Sequence, residues 1–497
     1  MTTAGASEEV SKVWIWLASI AILIATGWLA TTFYSQSIIG YVICAALLYV
    51  LFVISSFREP LAFITVFLVV LIVLPPFFLE QTGETPLYVS LLLLPAGLAT
   101  AVVRWFDLHL QWDSIAKGLC LFVLGSGASL PFAWWFAGSE IASQGLFRWL
   151  MLAQTLLVYV LVRGGMRHQP GRVEQLLVPI LIVSSVISAG YGIWDFFWPF
   201  PIPHPAAPQF LYLAGGFLRR AQGVFYESSN FGNICGFFLA LASAAYLAGR
   251  EDAIGVSGKW LLVFMIILSS AAVLAFSRSS WANIATTMVV FTCMARRSRW
   301  KRRLPVLIVL CVPLVFLAIY LPEIWQYLLS YRLGGLGFLF SDPNLASSGR
   351  FNIWIRIFSI LYHYPHYFLL GVGYKTLPLT RLFGEQIIAD NGFLNLLLET
   401  GILGLATFMI FLLSILKTFW RRSRTTNPVI SFWATFLFAF WCGQSVQLLA
   451  ADSYTYWRNM AVYVALMAMV ENWAERDASA GADVDDPKAS VRLGHAI

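Results

Sequence analysis

Runs of about twenty apolar residues, separated by short polar loops, recur from Val13 to Trp473. A helix of that length rises about 30 Å, the thickness of a bilayer's hydrocarbon core. Inside lipid every backbone N–H and C=O must be paired within the protein, so only helices and closed barrels can span it. These runs are continuously apolar rather than alternating, which selects helices over barrel strands. The chain has 59% hydrophobic and 11% charged residues and a mean hydropathy of +0.76, outside the range of soluble domains. The expected fold class is an all-α polytopic membrane protein with about 14 transmembrane helices. The first run is long enough for a signal anchor rather than a cleaved signal peptide.

The formal charge of +7 is carried by loops of one parity. Arg58, Arg104, Lys117, Arg163, Arg167, Arg172, Arg250, Lys259 and the segments 295–303 and 417–424 hold most of the basic residues. The alternate loops read YSQS, EQTGETP, GSEIASQG and ADSYTY. The positive-inside rule then places the basic loops and both termini in the cytoplasm. No basic arm or basic–aromatic alternation points to nucleic acid. All 6 cysteines lie within expected spans, so disulfides and metal-binding thiolate pairs are not expected. The chain divides into a first block of spans (1–198), an outer loop (199–223), further spans (224–321), a large outer loop (322–391), last spans (392–473) and a disordered cytoplasmic tail (474–497).

The stretch from Ser347 to Gly404 breaks the oily pattern. Phe351, Trp354, Ile355, Phe358, Leu361 and Tyr362 fall on one helical face, with Asn352, Arg356, Ser359 and His363 opposite, as in a helix lying flat on a membrane. Asn391, Asn395 and Glu399 follow as a polar stripe at four-residue steps, which should face protein or water. Arg219, Arg220, Arg278, Arg332, Arg350, Arg356 and Arg381 all lie on the side that the topology rule keeps poor in positive charge. Arg stays charged and forks onto phosphate oxygens, so outward arginines point to an anionic ligand at the membrane surface. The alternative for each is snorkelling to head groups or capping a helix end.

Four segments resemble one family. RAQGVFYESSNFGN (220–233), LAFSRSSW (274–281), SSGRFNIW with HYPHYFLLGVGY (347–374) and DNGFLNLLLETGILGL (390–405) resemble, in order, the motifs of O-antigen ligases and Wzy-type O-antigen polymerases. The resemblance covers Arg220 to Leu405; the first seven spans add only hydropathy. It implies a GT-C-like glycosyltransferase of the bacterial inner membrane, with its active site on the periplasmic side. The implied substrates are undecaprenyl-pyrophosphate-linked oligosaccharides, with membrane lipids, a chain-length regulator and a flippase as partners. Ligases carry His before the Asn of the last motif, where this chain has Asp390. That departure favours the polymerase branch, whose product is O-antigen, capsule or other exopolysaccharide; the ligase, which transfers glycan to lipid A–core, is the alternative.

Glycan transfer needs a proton acceptor for the attacking hydroxyl and fixed positive charge for the leaving pyrophosphate. Asp390 is the favoured base and Glu227 its rival. Asp390 reads equally as a helix N-cap, and Glu227 as a first-turn partner of the helix dipole. Arg220, Arg278, Arg350 and Arg356 are candidate pyrophosphate ligands, and Asn391 and Tyr374 candidate sugar contacts. Asn391 and Glu399 also read as an internal hydrogen-bonding pair, and Tyr226, Trp354, Tyr364 and Tyr367 as interfacial anchors or stacking rings. Gly371 and Gly373 read as a turn rather than a phosphate cradle. The outer loops lack Asp-x-Asp or metal spacing, so no cofactor and metal-independent transfer are expected. A lipid-linked-glycan flippase is the rival of another class, but the first seven spans carry almost no interior charge except Asp195, near a span end.

Overall fold

The computed structural model describes residues 60–74, 89–104, 112–168, 172–198, 209–213, 216–225, 227–295, 303–327, 341–342, 344, 349–380, 384 and 387–485. In chain order the described helices begin with α1 (Pro60–Val73), α2 (Val89–Val103), α3 (Ser114–Gly127), α4 (Leu130–Ala137), α5 (Ser139–His168) and α6 (Arg172–Phe197). A β-hairpin follows, of β1 (Phe210–Leu213) and β2 (Gly216–Arg219), and then α7 (Ser228–Ala248), α8 (Gly258–Leu274), α9 (Arg278–Met294), α10 (Arg303–Tyr320) and α11 (Pro322–Tyr327). The last are α12 (Arg350–His363), α13 (Pro365–Leu370), α14 (Gly392–Arg422), α15 (Pro428–Leu448) and α16 (Trp457–Asp485).

Among the described residues, 6 stretches are long and apolar enough to cross a membrane: Ser114–Ala137, Ser139–Met166, Leu176–Phe197, Ser228–Ala248, Gly392–Arg422 and Pro428–Leu448. Shorter apolar helices cover Phe63–Val73, Leu93–Val103, Gly258–Leu274 and Leu310–Tyr320. The chain is a polytopic, predominantly helical membrane protein. The start of the expected first block, residues 1–59, lies outside the described residues, as do Tyr226, Arg332 and Arg381.

Three expectations change. The loop at 199–223 is not wholly irregular: Phe210 pairs with Arg219 and Leu213 with Gly216 in an antiparallel ladder, so the described chain is not purely α. The ladder is tied to α6 by the Arg219–Asp195 ion pair at 2.8 Å, which accounts for both that outward arginine and the intramembrane-end carboxylate. The tail does not begin at Ala474, because α16 runs to Asp485 and Asn427 Nδ2 donates to Asp477 at 2.8 Å. The amphipathic helix is α12, and its apolar residues divide. Phe351, Ile355, Phe358 and Tyr362 are exposed, whereas Ile357, Ile360 and Leu361 are buried against α13 and α14. Ile353, Ile357 and Ile360 form a second apolar stripe at helical spacing, and that stripe meets the protein.

The interior is mainly aliphatic and aromatic, but a polar belt crosses it. Asn233 of α7 donates to Gln444 and Gln447 of α15 at 3.0 and 2.7 Å. Asn283 of α9 donates to the same two oxygens at 2.8 Å each. Asn459 and Tyr463 of α16 donate to Asn233 Oδ1 at 2.9 and 2.6 Å. With no water to compete, such bonds tie four helices together. Gly443 permits the α9–α15 approach, since a Cβ there would lie 2.3 Å from Asn283 Oδ1.

Candidate functional site

The candidate site forms where the end of α8, the start of α7, the turn after α13, the start of α14 and the segment between α15 and α16 meet. Its backbone is unusual. The described residues other than glycine with positive φ are Phe276 (49°), Lys375 (56°) and Asp390 (46°), and each lies in this region or in the turn that borders it. Such conformations cost energy for residues with a Cβ and persist only where the surroundings enforce them.

Each strained residue has an identifiable clamp. Arg220 donates from Nε to Ala275 O at 3.0 Å and from its terminal nitrogen to Phe276 O at 3.3 Å. It therefore holds the turn that delivers Arg278, the first residue of α9, whose N-cap is Ser277. Part of the Arg220 fork thus serves the turn. Asp390 receives Arg350 Nε at 3.0 Å, and the preceding carbonyl, Ala389 O, receives Trp354 Nε1 at 2.9 Å. Helix α12 therefore fixes the approach to α14 from outside. Arg356, also on α12, is exposed.

The N-cap of α14 is Asn391 rather than Asp390. Its Oδ1 accepts from Phe393 N and Leu394 N at 3.1 Å each, and its Nδ2 donates to Leu449 O at 3.2 Å. A positive φ at Asp390 turns that residue out of the capping geometry and leaves the role to its neighbour. The expected Asn391–Glu399 pair does not form. Glu399 Oε2 accepts instead from Lys375 N at 3.1 Å and lies 3.5 Å from Tyr454 Oη.

The two glycines of G-V-G-Y make a turn, as their spacing suggested. The α14 helix kinks at Gly401 (φ 65°), which frees carbonyls ahead of it. Val372 N and Gly373 N donate to Leu398 O and Glu399 O at 3.0 and 2.8 Å. A Cβ on Gly371 would lie 2.3 Å from Glu399 O, so only glycine fits there. The turn folds Tyr374 inward, to 2% exposure, with its N–H on Ser129 Oγ at 2.9 Å. The expected sugar contact by this ring is therefore corrected: it is a packing residue, and burial pushes its phenol well above its usual range.

Beneath the rim lies a charged cluster that sequence reasoning missed. Lys375 Nζ contacts Asp452 Oδ2 at 2.6 Å, and the same oxygen accepts from Asn395 Nδ2 at 2.7 Å. Arg148 of α5 donates to Lys375 O at 2.8 Å. Burial raises the proton affinity of the Asp452 carboxyl, but Lys375 and the hydrogen bonds outweigh it and hold the group below its usual value. Burial alone would lower the Lys375 ammonium, yet Asp452 and Glu399 hold it above its usual value. Glu227 occupies the N-cap position of α7 without capping it, and its Oε2 accepts from Ser229 Oγ at 3.0 Å. Its carboxyl is raised, first by burial and then by Asp452, against the opposing pull of Lys375. The sequence shows Lys375 directly after the glycine turn and Asp452 in an outer loop, but nothing in it pairs them.

Among the described residues, no group of three or more His, Cys, Asp or Glu side chains could hold a metal ion. The cations present are arginines and Lys375. The arrangement thus offers two carboxylates, the largely buried Glu227 and the half-exposed Asp390, beside fixed positive charge.

The chain has no match among curated proteins. Residues 263–409 match the family model Wzy_C, O-Antigen ligase. That match takes in the segments carrying Arg278, the Arg350 helix, the glycine turn and Asp390 with its helix, and leaves out 220–233 and the Asp452 loop. The site's central segments are therefore the part of the chain that is similar to the O-antigen ligase family model.

Proposed function

We propose that the protein is a polysaccharide polymerase, a GT-C-like membrane glycosyltransferase. It transfers a glycan from an undecaprenyl-pyrophosphate carrier to the sugar of another lipid-linked repeat unit. Transfer takes place at the periplasmic face of the inner membrane. The observation that carries this reading is the gathering of strained Lys375 and Asp390, with Glu227 beside them, at one end of the bundle, bordered by the Arg220-clamped turn that delivers Arg278.

The acceptor hydroxyl attacks the anomeric carbon, the bond from that carbon to the phosphate oxygen breaks, and the electron pair leaves with undecaprenyl pyrophosphate. The hydroxyl proton passes to a carboxylate. Of the two candidates, the surroundings favour Glu227. Its carboxyl is raised toward the range in which a general base works best, and its bonded neighbour is a hydroxyl. Asp390 has Oδ2 engaged by Arg350 and is suited to fixing that arginine near the pyrophosphate. Arg278 and Arg350 supply charge for the leaving group without rearranging.

The second reading is the ligase, favoured by the description of the matching family model. One assay separates the two. Purified protein in liposomes is given lipid-linked repeat units extracted from the producing strain, with and without EDTA, and then lipid A–core. A ladder of lengthened lipid-linked glycans that survives EDTA supports the metal-independent polymerase. Transfer only after lipid A–core is added makes it a ligase. Loss of the ladder in EDTA contradicts metal independence.

A further inference from the structure

The segment Asp452–Asn459, outside the family match, reaches the glycine turn, the start of α14 and the start of α7. Asp452 holds Lys375 and Asn395 at 2.6 and 2.7 Å. Tyr454 lies against Glu399, and Lys375 Nζ sits 5.9 Å from the Tyr454 ring centroid. Tyr456 lies beside Glu227 and Ser229. Arg458, fully buried, donates to Val224 O at 2.6 Å and to Leu71 O and Leu74 O at 2.6 and 2.7 Å. Asn459 donates to Asn230 O at 3.0 Å. The carbonyls on both sides of Glu227 are therefore held by the chain segment whose other end holds Lys375.

We infer that the Lys375–Asp452 ion pair is a positioning and charge-balancing device for Glu227, locking the glycine turn, the kinked start of α14 and the Glu227 loop into one reactive arrangement. Lys375 is fully engaged: its N–H, its carbonyl and its ammonium each have a partner, and its φ of 56° is what lets all three be met at once. The pair is mostly buried, at 14% and 17% side-chain exposure, where an ion pair contributes little net stability over an apolar alternative. Glu399 Oε1, Asn395 Oδ1 and Ser453 Oγ, all buried in the same cluster, have no hydrogen-bond partner among the described residues.

The groups facing Glu227 are Asp452, Lys375 and Asp390, with the Tyr456 phenol and the Ser229 hydroxyl. Asp390 carries its own partner, Arg350, and Lys375 also faces Glu399. Lys375 favours the ionised Glu227, whereas Asp452 disfavours it. The two members of the pair therefore act on Glu227 with opposite sign.

The inference rests on Glu227 as proton acceptor, and the test separates the two claims. The pH profile of kcat/KM for glycan transfer is measured with extracted lipid-linked repeat units for wild type, Lys375→Met, Asp452→Asn, Lys375→Arg and Glu227→Gln. The rate falls as pH drops through the Glu227 titration. Lys375→Met is expected to move that acid limb up by about one pH unit and Asp452→Asn to move it down by a similar amount. Lys375→Arg, which keeps the charge, leaves it near the wild-type position. The limb position does not depend on how much protein is folded. If both neutral variants lose rate with the limb unmoved, the pair is only structural and the inference is overturned, while the role of Glu227 stands. If Glu227→Gln transfers at the wild-type rate, both fall.

Discussion

Arg163 and Lys375 are both buried cations in ion pairs, at opposite ends of the bundle. Helix α5 measures the separation: Arg148 bonds Lys375 near its start, and Arg163 lies about 22 Å further along it. Arg163 joins regular elements. It meets Asp113, which caps α3, at 3.2 Å, and Asn472 and Glu475 on α16. Tyr159 adds a bond to Asp113 at 2.7 Å, and Arg422 meets Glu471 at 3.2 Å nearby. There, charge fastens helix to helix. At the other end Lys375 joins a turn, a kink and a loop, all from a strained backbone. Buried charge serves cohesion where the backbone is regular and serves positioning where it is strained. Glu227 makes the contrast sharper, because its raised carboxyl means that folding works against its charged form.

The comparison can be broken in order of expected effect. Arg163→Met leaves Asp113 and Glu475 without their cation in a largely buried site and should destabilise the fold by about 3–5 kcal/mol. Denaturation in detergent reads this, and glycan transfer per folded molecule should stay at the wild-type level. A loss of transfer rate without a loss of stability would erase the distinction between the ends. Arg278→Ala should do the reverse, lowering transfer by about 10²–10³-fold as fixed charge on the leaving group is lost.

Asn391→Ala sharpens the picture at smaller scale. It removes the two cap bonds of α14 and should cost about 1 kcal/mol, seen as a lower thermal midpoint. Asp390→Ala should show no loss from capping, because that residue caps nothing. The smallest effect is in pH. The Glu227 carboxyl is raised in the folded protein, so its contribution to stability is fully present below the unfolded carboxyl value of about 4.3 and is lost as pH rises through the folded value. Glu227→Gln should flatten the stability profile over that window in detergent unfolding curves.

Much of the fold was legible because hydrophobic length is a local property. Helices α7 and α14 start at Ser228 and Gly392, within a few residues of the span blocks expected from 224 and from 392. The glycine turn was legible for the same reason, since two glycines two apart leave few alternatives. What failed was non-local or a choice between neighbours. Lys375 and Asp452 lie 77 residues apart, and no periodicity joins them. Asp390 and Asn391 are both good caps, and only the positive φ at Asp390 decides between them. The apolar face of α12 was read as one stripe, but Ile353, Ile357 and Ile360 supply another, and packing chose the second. The helical continuation past Ala474 rests on contacts such as Asn427 with Asp477, which composition does not reveal.

The most direct test of the central claim, that the strained end is the reaction site with Glu227 as proton acceptor, is a paired measurement on Glu227→Gln. Single-turnover glycan transfer and thermal midpoint are taken on one preparation beside wild type. The account predicts transfer slowed by at least about 10²-fold with an equal or higher midpoint. Transfer at the wild-type rate, or a slowing that appears only with a lowered midpoint, would contradict it.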